Sequence, residues 1–394
     1  MDIILWGINV RILFVNSTYY PNTTGGAELV CRKTAEAFAQ RGHSVDVLTL
    51  DTRYHKENIN GVNIIYLDTV IGKGRKKASK FLKRCIYFLR VFPLFDLFKL
   101  RRILLDGKYD IINTHAIEDI SPVVWLSAKR CKIPVVHTMH DRYLLCPLLF
   151  LFRRNGSECE KRKLVCKLRT RFYLKNTVYV SAFISPSKSL AKTMPVESVV
   201  INNGIKMMHS ANKRKYPDSR PFRFVYVGLL AKYKGISSML NAFYQYSSKA
   251  ELHIAGDGGM REDVIAAAKK DSRIHYHGWI DNSKMADFLM EFDCLIMPSI
   301  CRESFGMVIL ESYNVNMPVI GSDLGGISEL VTDNETGYLF SPGNEEDILS
   351  KMQMIMEKKN WERMTENIYR IKQKYSIETQ VDKYEALFGS IVHK

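Results

Sequence analysis

Short apolar runs alternate with longer amphipathic segments along most of the chain. In the first half, Ala27–Arg41 carries apolar residues at helical spacing and ends at Gly42, a residue suited to a helix C-terminus. Apolar runs of strand length flank this segment and recur further on, at 11–16, 44–49, 62–67, 109–115, 134–141, 182–187 and 199–201. Strands that alternate with helices in this way predict an α/β fold with a mainly parallel sheet.

The alternation restarts after a polar and charged segment, 209–220, which we interpret as a linker. Strand-like runs follow at 222–227, 251–258, 274–279, 294–299, 318–322 and 336–340, and the chain from Asn344 onward is predicted to be helical. We therefore predict two domains, residues 1–207 and 208–374, each a Rossmann-like doubly wound sheet. The two domains are expected to face each other across a cleft.

The segment Cys301–Glu311 turns from polar to apolar at Gly306, directly after the strand predicted at 294–299. This pattern predicts a strand-to-helix loop that contains Glu303. The second carboxylate, Glu311, is then expected about two turns into the helix. Both carboxylates are predicted to face one crevice at the carboxyl end of a strand, where open α/β sheets bind ligands.

The start of that helix is also a candidate anion site. The backbone N–H groups of Met307 and Val308 have no acceptor within the helix, so they can bind a negatively charged ligand. The alternative interpretation treats Glu303 as a helix N-cap and Glu311 as an ordinary surface charge.

Two features of the first half add candidate chemistry. The pair Gly25-Gly26 separates the first strand from its helix and would let the backbone approach a diphosphate closely, although such pairs also occur in plain turns. His140-Asp141 ends a predicted strand at the crevice. Its imidazole could hydrogen-bond a substrate, or the pair could simply cap the start of a loop.

The chain carries a net charge of +16, which favours an anionic binding partner. Between Lys73 and Arg102 there are eleven lysines and arginines and one acid, Asp96, interleaved with aromatic and aliphatic residues. This segment, 73–102, is typical of a surface that binds an anionic membrane. It equally fits two surface helices with a solvated basic face. Nucleic acid is disfavoured, because no recognition motif accompanies the charge.

Neither a signal peptide nor a membrane-spanning segment is expected. The N-terminal apolar run is short and begins with an acid, and no stretch of about 18 apolar residues exists. The eight cysteines are scattered, which favours a reduced, cytoplasmic protein over a disulfide framework. Three of them, Cys146, Cys159 and Cys166, could bind zinc near His137, but their spacing does not match a zinc ribbon, and unliganded cysteines are the preferred interpretation.

Taken in order, the motifs resemble those of the retaining GT-B glycosyltransferases of glycosyltransferase family 4, over most of the chain. The matching elements are Gly25-Gly26, His140-Asp141, Asn203-Gly204, Val227-Gly228 through Lys234-Gly235, Gly256-Asp257-Gly258, Glu303 with Glu311, Gly325-Gly326 with Glu329, and Gly337–Phe340. The resemblance implies that 1–207 binds the acceptor and 208–374 binds the nucleotide sugar. It also implies that the final helix, 375–394, packs back on the N-terminal domain.

The resemblance assigns roles to matched positions. His140 would hydrogen-bond the transferred sugar, Lys234 would neutralise the diphosphate, and Glu303 would lie beside the sugar; these are the expected catalytic residues. Glu311 would bind the ribose hydroxyls. The expected donor-binding set is Gly25, Gly26, Lys232, Phe305, Gly306, Met307, Val308 and Glu311.

One position departs from the family pattern. The family usually has arginine directly after the glycine numbered 228, whereas this chain has Leu229. An apolar side chain cannot stabilise a leaving phosphate. Lys232 could take over this role, Lys234 and helix N-termini could suffice, or activity could be reduced.

The expected function is retaining transfer of a sugar from a nucleotide sugar to a glycan or lipid-linked acceptor, in the synthesis of a cell-surface polysaccharide such as lipopolysaccharide. The chain has no Asp-x-Asp motif, so we expect no metal and no cofactor. The expected location is the cytoplasmic face of the membrane, bound peripherally. Alternatives are an epimerase or sugar phosphorylase of the same fold, or a catalytically idle binding subunit.

Overall fold

Two separate sheets organise the structure, which is a computed structural model of the chain. It describes residues 9–20, 25–51, 53–68, 96–149, 151–152, 159, 162–208, 214–246 and 249–393. Each sheet is covered by helices on its faces, so the molecule consists of two α/β halves. The predicted fold class is therefore confirmed.

The N-terminal sheet has eight strands among the described residues, in the order β3-β4-β2-β1-β5-β6-β7-β8. All neighbouring pairs are parallel except β3 with β4. The strands are β1 (Arg11–Val15), β2 (Ser44–Asp51), β3 (His55–Ile59), β4 (Val62–Asp68), β5 (Ile111–Thr114), β6 (Val135–Thr138), β7 (Ala182–Ser185) and β8 (Val199–Val200). The helices are α1 (Gly26–Gln40), α2 (Asp96–Gly107), α3 (Val123–Arg130), α4 (Leu164–Asn176) and α5 (Lys188–Thr193).

In the part of the chain that the structure describes, the C-terminal sheet has six parallel strands, in the order β11-β10-β9-β12-β13-β14. They are β9 (Phe222–Val227), β10 (Ala250–Ala255), β11 (Ile274–Gly278), β12 (Cys294–Met297), β13 (Val319–Ser322) and β14 (Gly337–Phe340). The helices of this half and of the chain end are α6 (Ile236–Tyr244), α7 (Arg261–Lys270), α8 (Met285–Met290), α9 (Met307–Asn314), α10 (Ile327–Leu330), α11 (Glu345–Ile355), α12 (Lys358–Ile371) and α13 (Ile377–Val392).

Burial on both faces explains why the central strands are almost continuously apolar. In β1, Leu13 packs into the core on one face of the sheet, and Phe14 packs into the core on the other. In β12, Leu295 and Ile296 likewise pack into the cores on opposite faces of the sheet. A parallel sheet covered by helices on both faces requires this composition. The carboxyl ends of the strands are consequently the positions where polar side chains can gather.

The end of the chain returns to the N-terminal half. Helix α13 packs along α1, where the rings of Phe38 and Phe388 stack with centroids 5.6 Å apart. At one end of this contact, Arg41 pairs with Glu385 at 2.8 Å. Apolar residues of α13 thereby complete the core beneath β1. The two halves are thus joined by this returning helix as well as by the linker.

The structure differs from the sequence predictions in three places. The sequence pattern predicts a loop over the basic residues 150–175, but Leu164–Asn176 forms helix α4, in which Arg169 and Tyr173 are buried. The hairpin strand β3 was not predicted, because its side chains are mostly exposed and polar. Glu311 is the fifth residue of α9, little more than one turn into the helix.

Several predictions concern residues outside the described ranges. These are residues 1–8, which contain the N-terminal apolar run, residues 73–95 of the basic segment, and residues 209–213 of the linker. The domain boundary at 207/208 remains a prediction.

Candidate active site

The charged centre of the C-terminal half is an ion pair between two loops at the carboxyl ends of β9 and β12. Lys234 Nζ lies 2.5 Å from Glu303 Oε1, and Ser299 Oγ donates to the same oxygen at 2.6 Å. Burial is the largest single influence and opposes the charge on each partner, but the ion pair, its hydrogen bond and neighbouring groups together outweigh burial. The pKa of Lys234 is therefore raised and that of Glu303 is lowered. Both groups are therefore charged at neutral pH.

Glycines allow these loops to pack closely enough for the pair to form. Gly235 has φ +73°, and a Cβ there would lie 1.7 Å from the carbonyl oxygen of Pro298. Gly325 has φ +68°, and a Cβ there would lie 2.7 Å from the carbonyl oxygen of Glu303. Any other residue would force the Lys234 loop or the Gly325 turn away from the Glu303 loop.

Helix α9 begins directly beside this pair. Ile309 N–H bonds to the carbonyl of Gly306 at 3.0 Å, whereas helical geometry leaves the N–H groups of Met307 and Val308 without an acceptor inside the helix. These groups and the positive end of the helix dipole favour an anion next to Lys234.

Glu311, the second carboxylate of the segment Cys301–Glu311, has a raised pKa. Burial raises the pKa of Glu311 to about 7, although the charge of Lys33, on α1 of the other half, acts in the opposite direction. Glu311 thus changes charge near neutral pH and lies where the two halves meet.

Arg142 brings a further cation to the centre, and sequence analysis missed it. Only 1% of its surface is exposed, and Nη1 donates to the carbonyl of Arg302 at 2.9 Å, across the two halves. Its Nη2 has no hydrogen-bond partner among the described residues. The guanidinium interacts electrostatically with Glu303. Its position directly after His140-Asp141 was the only available signal.

His140 is part of a chain of imidazoles. Its Nε2 lies 2.8 Å from His115 Nδ1, and His115 Nε2 lies 2.7 Å from Asn113 Oδ1. Burial lowers the pKa of His140 to about 4. The imidazole is therefore neutral at physiological pH and can both donate and accept one hydrogen bond.

Two carboxylates share a small cavity with His140. Burial, followed by the nearby charge of Asp141, raises the pKa of Glu118 to about 8. Burial raises the pKa of Asp141 itself to about 6, although Tyr143 N–H donates to its Oδ1 at 2.6 Å. At neutral pH Glu118 is therefore mainly protonated and can donate a hydrogen bond.

Direct hydrogen bonds connect the N-terminal half to the C-terminal half. Ser187 Oγ donates to the carbonyl of Ser304 at 2.6 Å. The carboxylate of Glu329 accepts hydrogen bonds from the N–H groups of Lys188, at 2.8 Å, and Ser189. A carboxylate of the C-terminal half thus caps helix α5 of the N-terminal half.

Comparison with known proteins agrees with this architecture. Residues 24–207 match the family model "Glycosyltransferase Family 4", and residues 221–358 match "Glycosyl transferases group 1". The chain is 28% identical to a 42.6 kDa protein of the cps region of Klebsiella pneumoniae, over 82% of this chain and 87% of that one. It is 24% identical to O-antigen chain mannosyltransferase C of Escherichia coli, over 97% and 99% respectively.

Solved structures share the fold. Sucrose-phosphate synthase from Thermosynechococcus elongatus superposes with a TM-score of 0.76 at 19% identity, over 97% of this chain and 99% of that one. Anabaena HepE in complex with UDP-glucose superposes with a TM-score of 0.69 at 17% identity, over 97% and 100%.

The chain is a GT-B glycosyltransferase. The two family models lie on the two α/β halves, and the structural neighbours extend over almost the whole chain. None of the helices in the described part of this glycosyltransferase is both long and apolar enough to cross a membrane.

The other predicted site residues have different surroundings. An ideal Cβ on Gly26 would lie 3.8 Å from the side chain of Met307, so the Gly25-Gly26 turn faces the start of α9. Phe305 is buried against Gly326. Lys232 is exposed.

The position that departs from the family pattern is also exposed. Leu229 has 49% of its surface accessible, and its carbonyl accepts a hydrogen bond from the Tyr226 hydroxyl at 2.9 Å. Its backbone is therefore held in place while its side chain points away from the core.

The three cysteines that were considered as possible zinc ligands were expected to be unliganded. Cys146, Cys159 and Cys166 do not form a metal-ligand group in the part of the chain that the structure describes.

Proposed function

We propose that this glycosyltransferase moves a sugar from a nucleotide sugar to a glycan or lipid-linked acceptor, with retention of configuration and without a divalent metal. The observation that carries the proposal is the buried Lys234–Glu303 pair beside the start of α9, with Arg142 next to it. Together these groups offer two cations and a set of backbone N–H groups to one anionic ligand.

The leaving diphosphate needs compensation of its developing negative charge. Lys234 and the amides of Met307 and Val308 supply part of this compensation. Arg142 supplies a guanidinium with one nitrogen that has no hydrogen-bond partner in the described part of the chain, and this chain has Leu229 at the usual arginine position. We propose that Arg142 takes over the electrostatic role that the side chain of Leu229 cannot perform.

Retention follows if the acceptor attacks from the face that the diphosphate leaves. The bond between the anomeric carbon and the phosphate oxygen breaks, and the acceptor oxygen forms its bond on the same face. The acceptor proton passes to the departing phosphate oxygen. Glu303 is engaged by Lys234 and Ser299, which favours a role in positioning the sugar over a role as covalent nucleophile.

The acceptor is proposed to bind on the N-terminal half, beside the cavity that His140, Glu118 and Asp141 line. Carboxyl and imidazole groups of this kind recognise sugar hydroxyls. Polysaccharide synthesis is supported by relatives whose names place them in a cps region and in O-antigen chain assembly. HepE, which shares the fold, was solved with UDP-glucose.

A peripheral location at the cytoplasmic membrane face is proposed from the basic segment 73–102. Most of this segment lies outside the described residues, so its charge carries the argument. Neutralising Lys76, Lys77, Lys83 and Arg84 should release the protein from vesicles that contain anionic lipid, while nucleotide binding persists. Unchanged vesicle binding would contradict this location.

The decisive experiment is a screen of nucleotide sugars by thermal shift, followed by an assay of turnover for the donors that bind. We expect one nucleotide class to raise the melting temperature and the anomeric configuration of the product to match that of the donor, with activity retained in EDTA. An inverted product would contradict retention, and loss of activity in EDTA would contradict metal independence.

A catalytically idle binding subunit is the second candidate, and the exposed Leu229 is the observation that favours it. The same screen separates the two. Donor binding without transfer or hydrolysis of any nucleotide sugar would favour the idle subunit, whereas turnover that Arg142→Met reduces would favour the enzyme.

A further inference from the structure

Three side chains with metal-binding groups, Glu251, His253 and His275, lie close together at the edge of the C-terminal sheet, on strands β10 and β11, and His277 lies next to them. His275 and His277 are two residues apart on the edge strand β11, so they share one face of the sheet. His253 lies directly opposite His275 on β10, and Glu251 lies two residues before His253 on that strand. The proposed transfer reaction uses none of these groups.

The distances within this group are short. Ligand atoms of Glu251, His253 and His275 all lie within 4.8 Å of one another. His253 Nδ1 and His277 Nε2 are 2.9 Å apart, and the rings of His253 and His275 stack with centroids 4.6 Å apart. Imidazole nitrogens and a carboxylate oxygen are ligands that Zn²⁺ takes in tetrahedral sites.

We propose that Glu251, His253 and His275 bind one Zn²⁺ ion. His253 would bind the ion through Nε2, which lies 3.3 Å from Glu251 Oε2, while its Nδ1 stays hydrogen-bonded to His277, an outer residue that orients the ring. A water molecule would take the fourth position of the tetrahedral site.

The surroundings of the group resemble those of a metal site. Arg223 Nε donates to Glu251 Oε2 at 2.9 Å, which orients the carboxylate in the way that outer hydrogen bonds orient metal ligands. Phe292 packs against His253 with ring centroids 4.8 Å apart. His253 is 8% exposed, whereas His277 is exposed, so an ion can reach the group from solvent.

A metal ion at this site would link the edge strand β11 to β10, next to the glycine turn Gly256–Gly258. The N–H of Gly256, which follows β10, donates to the carbonyl of Gly278 at 2.7 Å, and Tyr276 Oη donates to the carbonyl of Gly256 at 3.0 Å. Binding of Zn²⁺ would therefore reinforce the pairing of β11 with β10 up to the turn at Gly256–Gly258.

The test uses the full chain without an affinity tag, stripped of metal by a chelator and then dialysed. Calorimetric titration with ZnCl₂ should give one ion per chain, and Zn²⁺ should raise the melting temperature. H275A and H277A should each weaken Zn²⁺ binding about tenfold or more. H55A removes an exposed histidine on β3 and is the matched control, which should bind as the wild type does.

Co²⁺ distinguishes the histidine site from a thiolate site. Bound Co²⁺ should show d–d absorption without a sulfur-to-cobalt charge-transfer band, and the double variant C159S/C166S should leave this spectrum unchanged. Circular dichroism checks that each variant is folded. The proposal is overturned if the wild type takes up no Zn²⁺, if H275A binds as tightly as H55A, or if the cysteine variant alone loses the ion.

Discussion

Lys234 and Glu303 neutralise each other at a distance of 2.5 Å, in the place where we propose that the donor diphosphate binds. The two residues come from loops that follow β9 and β12, which are neighbours in the sheet although 69 positions separate the residues in the chain. A diphosphate that enters the site must therefore compete with Glu303 for the ammonium group. This competition links donor binding to a rearrangement of the Glu303 loop.

Replacing Lys234 by Met should lower donor turnover about 100-fold or more, because one charge-stabilising group is lost. The same change leaves Glu303 buried without its partner and should lower the free energy of unfolding by about 3–5 kcal/mol. Initial-rate kinetics and urea unfolding measure the two effects. The double variant K234M/E303Q should recover much of the stability and none of the activity. Recovery of turnover in the double variant would contradict the assigned role of Lys234.

Arg142→Met should reduce kcat by about 10- to 100-fold, because a charge-assisted hydrogen bond and a cation beside Glu303 are both removed. Arg302→Met is the matched control, since Arg142 bonds to the carbonyl of Arg302 and the exposed side chain of Arg302 is not needed. The control should stay within about twofold of the wild type. Equal losses in the two variants would show that Arg142 has no special role.

His140 should contribute equally to catalysis across the neutral range. Burial lowers the pKa of His140 to about 4, so the imidazole is neutral above this value and only gains a proton below it. The ratio of wild-type to H140N rates should therefore stay constant between about pH 5.5 and about 8. The measurement is a pair of pH–rate profiles. A ratio that changes near the ordinary histidine pKa would contradict the buried, neutral imidazole.

Glu311 should make donor binding sensitive to pH. Burial raises the pKa of Glu311 to about 7, and its ionised form is the better acceptor for ribose hydroxyls. Nucleotide affinity should therefore rise as the pH increases through about 7, beyond the change seen in E311Q. The variant serves as the control, since it retains the titration of the nucleotide phosphate.

The effect of Glu311 on stability has the opposite sign. Its folded-state pKa is higher than the value in the unfolded chain, so its contribution to stability is fully present below the unfolded pKa and is lost as the pH rises through about 7. The melting temperature of the wild type should fall relative to that of E311Q over this range. If the melting temperatures of the wild type and E311Q change with pH in the same way, the pKa of Glu311 is not raised.

Glu329→Ala should favour an open arrangement of the two halves. The variant removes both hydrogen bonds to the first N–H groups of α5, whereas the bond from Ser187 to Ser304 remains. We expect a larger radius of gyration by small-angle X-ray scattering without donor and a higher KM for the donor. Glu335→Ala, at an exposed site nearby in the chain, should change neither quantity.

The fold was predictable because parallel sheets impose a simple pattern on the sequence. The strands β1, β9 and β12 are apolar except for Arg11 and Arg223, since helices cover both faces of each sheet. The runs that predicted them end within one or two residues of the observed strands. The basic segment now described as α4 lacked that pattern. Its helix depends on Arg169 and Tyr173, which pack against Tyr143 from a separate part of the chain.

The candidate site was predictable only where a motif lies within one loop. Glu303, Gly306 and Glu311 belong to such a segment, and their place at a strand end followed from the change from apolar to polar residues. Arg142 was missed because its importance depends on Arg302 and Glu303, which belong to the other half of the molecule. Nothing local distinguishes it from a surface arginine.

The sequence by itself determined the two α/β halves, the glycine turns and the loop that carries Glu303, because local conformation and the burial of apolar strands depend on neighbouring residues. The tertiary structure alone decided that Lys234 is paired with Glu303, that Arg142 crosses between the halves, and that Glu311 titrates near neutral pH. The physical reason is that charge and burial depend on distances through space, and those distances are fixed only when the loops of both sheets pack together.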